Sequence, residues 1–99
     1  MKLAKLPKIL PGIHPPVSEG MAEVEVTGIA HDSRRVKPGS VFVAIPGHQR
    51  DGGDFAEDAL NRGAVAIVTE RQLRLQRPAL QFVVQDARRA LAALANTFY

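Results

Sequence analysis

The sequence has 99 residues, 45% of them hydrophobic and 23% charged, with thirteen Lys and Arg against ten Asp and Glu for a net charge of +3. That length suits one domain able to bury roughly 60–68% of its unfolded surface. The absence of cysteine excludes disulfides and thiolate metal sites, and the four Phe and one Tyr sit in apolar contexts rather than between arginines, which argues against a nucleic-acid surface.

In the opening stretch, MKLAKLPKILPGIHPP, a Lys or Pro interrupts every apolar run after two residues at most. It therefore offers no signal-peptide core and no membrane span, and a cytoplasmic location is expected. Pro7, Pro11, Pro15 and Pro16 predict an irregular lead-in over 1–23, with a turn near Leu3–Leu6, packing across a domain that occupies 24–99. Glu23 to Thr27 alternates polar and apolar, as a half-exposed strand does, and Gly28 and Ile29 continue it with Val24 and Val26 facing the core.

After the polar loop His31–Arg34, the run Arg35-Val36-Lys37-Pro38-Gly39 is a turn, because Pro presets φ and Gly tolerates a positive one. It feeds Val41-Phe42-Val43-Ala44-Ile45, too short for a helix and rich in β-branched residues, hence a buried strand. Beyond the second polar loop, Gly47–Gly53, Asp54 can cap a helix over 55–62, with Glu57 three residues on as in a capping box and Gly63 at the left-handed end. The apolar run 64–69 reads as a strand covered on both faces, parallel to 41–45 through a right-handed crossover. A polar stretch with a short helical turn near Gln72–Leu75 leads to a strand at 80–84. Asp86 then caps a helix whose Ala87, Ala90, Leu91, Leu94, Ala95 and Phe98 form one apolar stripe. The expected fold class is α/β, a small mixed, partly parallel sheet flanked by helices.

Two polar loops thus flank the central strand, where small ligands of α/β folds bind. The Ser33 hydroxyl could donate to a phosphate or a pyrimidine carbonyl, or close a local turn with the backbone. No His is placed to activate it, so no catalytic residue is assigned. Asp32 and Arg34, two apart, can pair and shape the loop. His48, Gln49 and Arg50, flanked by glycines, could line an anion-binding concavity or a solvated loop. His14, His31 and His48 are scattered without a carboxylate at ligand spacing, so no metal site is expected, and no G-x-x-x-x-G-K-[ST] or G-x-G-x-x-G occurs to cradle ATP.

His31-Asp32-Ser33-Arg34, Lys37-Pro38-Gly39, Val41-Phe42-Val43-Ala44, Gly47-His48-Gln49, Asp51-Gly52, Phe55, Ala59 and Gly63-Ala64 together resemble, in order and spacing, the N-terminal domain of the Mur ligases. The resemblance runs from about residue 26 to 99. The Gly-His-Gln step favours the branch that adds the third residue of the peptidoglycan stem peptide over the sister branch that adds D-Ala-D-Ala. A stand-alone basic module for anions or nucleic acid is the alternative from another class.

The resemblance implies a domain that anchors the uridine diphosphate of UDP-N-acetylmuramoyl-L-Ala-D-Glu, through His31, Ser33, His48, Gln49 and Arg50, with Asp32, Arg34 and Asp51 in support. His31 stands where the family commonly has an apolar residue and Arg50 where it has a small one. It also implies a parent ligase using ATP and Mg2+, whose central and C-terminal domains are this chain's partners. The domain itself would bind no cofactor, metal, nucleic acid or membrane, and alone it would be inactive as a ligase.

Overall fold

Four strands form one sheet in the order β1 (Gly28–Ala30), β2 (Ser40–Val43), β3 (Ala66–Thr69), β4 (Gln81–Val83), and every pairing is parallel. The structure, a computed structural model, describes residues 1–12, 14–46 and 53–99, with backbone alone at 53 and 54. The α/β class holds, and the sheet is more uniform than the mixed one expected. Among the described residues its antiparallel component shrinks to one bridge between Lys2 and Glu25.

A parallel sheet must be covered on both faces, which is why β2 and β3 are apolar without a polar alternate. Successive side chains of a strand point to opposite faces, so each strand feeds two cores. On one face Val41, Val43, Val68 and Phe82 pack with Ala90 and Leu94 of α4 (Ala87–Phe98). On the other, Ala30, Phe42, Ala44 and Ile67 pack with Ala56, Ala59 and Leu60 of α3 (Gly53–Asn61) and with Leu73. Gly63 terminates α3 at φ +102, as expected of a left-handed cap, and its carbonyl accepts from Gly39 N–H at 2.9 Å.

Four expectations are corrected. Residues 1–23 are not irregular: Leu3–Lys5 is a 3-10 turn, α1 spans Leu6–Ile9 and α2 spans Glu19–Ala22. Pro7 falls in the first turn of α1, where a missing N–H costs no helical bond. The strand expected from 23 begins instead at Gly28. Residues 24–26 bond to the chain's start, Leu3 N–H to the Val24 carbonyl and Val26 N–H to that of Met1, both at 2.8 Å.

Residues 72–75 are not helical, because the buried Gln81 side chain captures the backbone of Leu73, accepting from its N–H at 2.8 Å and donating to its carbonyl at 3.0 Å. Finally, α3 starts at Gly53 and Glu57 serves no capping box. Its carboxylate accepts from Gln76 N–H at 2.7 Å and ties the 70–80 segment to α3. Asp86 does cap α4, accepting from Arg88 and Arg89 N–H, and Glu70 accepts from Ala87 N–H at 2.8 Å.

Candidate functional site

Because β1 and β2 run parallel, the residues following Ala30 and those following Val43 leave the sheet at the same rim. The first exit passes through His31 and Asp32 into a 3-10 turn, Ser33–Arg35; α3 packs beside that turn. The carboxyl rim of parallel strands is where α/β folds place ligands.

Asp32 shapes the turn. Its carboxylate accepts from Arg34 N–H at 3.0 Å, and the Arg34 guanidinium folds back in a fork, Nε to Oδ1 at 3.1 Å and Nη2 to Oδ2 at 2.8 Å. The Arg34 side chain, then its backbone N–H, hold the Asp32 carboxyl down to about 2, and the same pairing raises Arg34. Asp32 therefore stays ionised and committed to Arg34 rather than free to carry protons. A folded value below the ordinary 3.8 means that its contribution to stability is complete above that pH and is lost as pH falls through about 2. The Asp32 carboxyl carbon shift should titrate near 2 in the folded chain and move back toward 3.8 in Arg34→Ala; an unchanged midpoint in the variant would contradict the pairing.

His31, Asp32, Ser33, Arg34 and Phe55 line a cleft of about 520 Å³. Ser33 is only 5% exposed, and among the described residues its hydroxyl forms no hydrogen bond. The local turn that Ser33 could have closed is closed by Asp32 instead. A nearly buried hydroxyl lining a cleft is a ready donor and acceptor for a ligand, since an unmade hydrogen bond there costs free energy. His31 lies exposed at the mouth. Of the sequence-predicted site, the cleft gathers His31 and Ser33 with Asp32 and Arg34; His48, Gln49, Arg50 and Asp51 lie outside the described residues.

Phe55 was missed as a cleft residue, since its place on the apolar face of α3 points equally to the core. A larger groove, about 850 Å³, shares His31 and Asp32 and runs along β1 to Lys37 and Pro38.

The sequence pattern of the Mur ligase family, catalytic domain, matches residues 25–99. The chain belongs to the Mur ligase family. It is 48% identical over all of its length to the UDP-N-acetylmuramoyl-L-alanyl-D-glutamate–2,6-diaminopimelate ligase of Geobacillus thermodenitrificans, of which it covers 19%. It is 44% identical over its full length to the same-named ligase of Listeria innocua, again covering 19%. Among solved structures it is similar to MurF from Acinetobacter baumannii, with a TM-score of 0.72 and 26% identity over 94% of this chain and 20% of that one. MurF of Thermotoga maritima, in complex with ADP, gives a TM-score of 0.60 and 36% identity over 73% of this chain and 16% of that one.

The chain thus spans about a fifth of the Mur ligases it matches. Those ligases include a nucleotide-bound MurF, yet the residues here do not fit that nucleotide: the sequence has no phosphate-loop motif, and no group of three or more His, Asp or Glu that could hold a metal ion occurs among the described residues.

Proposed function

We propose that residues 24–99 are the N-terminal, substrate-anchoring domain of a peptidoglycan-precursor ligase, with 1–23 as its lead-in. It holds the uridine diphosphate end of UDP-N-acetylmuramoyl-L-Ala-D-Glu while the rest of the parent enzyme, using ATP and Mg2+, adds the third stem-peptide residue. The observation that carries this reading is the nearly buried, unpartnered Ser33 hydroxyl in a cleft at the carboxyl rim of a parallel sheet. Ser33 and His31 meet the ligand from one loop, and His48, Gln49 and Arg50 from the other. Asp32 and Arg34 brace the first loop, and Asp51 supports the second.

The names of the relatives support the third-residue branch over the D-Ala-D-Ala branch, and with it 2,6-diaminopimelate as the residue added. Against a nucleic-acid module stand Arg34, Arg62 and Arg89, which face Asp32, Asp58 and Asp86 rather than forming a free basic stripe. No helix among the described residues is long and apolar enough to cross a membrane, in keeping with a cytoplasmic ligase. By itself the chain carries out no ligation.

Titrating the labelled chain with UDP-N-acetylmuramoyl-L-Ala-D-Glu and following its amide shifts tests the site. Shifts are expected at Ser33 and at 48–50; their absence from both loops would reject the assignment. Ser33→Ala, which removes one neutral hydrogen bond, should weaken binding about threefold to tenfold.

A further inference from the structure

The outer side of β1 is an open sheet edge whose surroundings carry one sign of charge. In a parallel ladder alternate residues bond to the same neighbouring strand. Thr27 N–H donates to the Gly39 carbonyl at 3.0 Å, so Gly28 and Ala30 turn their N–H and C=O groups away from β2, and no described strand pairs with them. The 850 Å³ groove follows this edge, bordered by His31, Arg35, Lys37 and the 82%-exposed Tyr99. Arg35 and Lys37 are exposed and form no ion pair among the described residues. The one carboxylate lining the groove, Asp32, is already matched by Arg34.

We propose that this edge seats an extended, acidic segment of the part of the ligase that this chain does not span, added as a further strand beside β1. The inference rests on the reading of the chain as one domain of a longer enzyme. Charge complementarity names the occupant: unpaired backbone groups call for an extended strand, and cations without matching carboxylates call for an acidic one. A second copy of this chain is disfavoured, because pairing β1 with β1 would bring two sets of His31, Arg35 and Lys37 together.

The test joins this chain to the four fifths of the Geobacillus thermodenitrificans ligase that it does not span, and follows amide exchange. At low salt, Gly28 and Ala30 should exchange at least about tenfold more slowly than in the Arg35→Glu/Lys37→Glu double variant. Raising salt to about 1 M should speed their exchange in the unmutated protein by screening the same charges, which keeps the test sound if the double variant fails to fold. Equal exchange in both proteins, insensitive to salt, would overturn the proposal. So would loss of nucleotide binding in the double variant with edge exchange unchanged, which would make the groove a ligand channel. The nucleotide response at Ser33 is a separate readout. Its absence alongside salt-sensitive edge protection would sink the anchoring function and leave the docking edge standing.

Discussion

Leu6→Ala is expected to destabilise the chain by about 2–5 kcal/mol, the range for truncating a fully buried leucine whose site cannot collapse. Leu6 is 0% exposed and sits in the same core cluster as Val41, Val68, Phe82 and Leu94, so the deletion opens a void against the sheet rather than loosening a tail. For a chain of this length the melting midpoint should fall by roughly 10 °C or more. Lys8→Ala, an exposed change in the same helix, should stay within about 0.5 kcal/mol and serves as the control. A Leu6→Ala midpoint equal to that of Lys8→Ala would show that the first ten residues only drape over the domain.

Leu6 also shows where the sequence is hard to read. Prolines punctuate residues 1–23, and local reasoning takes such punctuation as irregular structure. A proline in the first turn of a helix obeys a different rule, and Leu3, Leu6 and Leu10 are placed by contacts with residues far along the chain. By contrast, the unit β2, α3 and β3 was legible because its signals are local: an apolar run, a helix with an apolar face, a left-handed glycine and a second apolar run. The same holds for α4 with its Asp86 cap.

The first half of the candidate site was legible for the same reason, since His31 to Arg34 are contiguous and Asp32 closes its turn on Arg34 two residues away. The roles of Ser33 and Phe55 were not. Whether Ser33 spends its hydroxyl on a local turn depends on Asp32 having taken that task. Phe55 reaches the cleft only because α3 returns beside the 3-10 turn. Tertiary placement decided both, and neither residue type nor spacing carries that information.

Gln81→Met is expected to cost about 1–3 kcal/mol for each of the two Leu73 backbone groups it strands. Gln81 closes a two-point clamp, with Oε1 accepting from Leu73 N–H and Nε2 donating to the Leu73 carbonyl, both bonds buried. Methionine keeps the length and apolar stem but offers neither partner, so both groups lose their bonds with no water to replace them. The consequence reaches the cleft, because Leu73 packs in the core cluster of Ala56, Ala59 and Leu60 on α3, the helix that carries Phe55.

Gln81→Glu separates this clamp from simple packing. A protonated carboxyl can accept from the N–H and donate to the carbonyl as the amide does, whereas a carboxylate would face the carbonyl with a second acceptor. Burial raises the folded-state value of such a glutamate above its unfolded one. The variant's clamp is then fully present below about pH 4.3 and lost as pH rises through the raised value. Chemical denaturation at acid and neutral pH should show Gln81→Glu close to the parent chain in acid and close to Gln81→Met at neutrality. Equal losses at both would mean that Gln81 fills space and that Leu73 is held by its side chain alone.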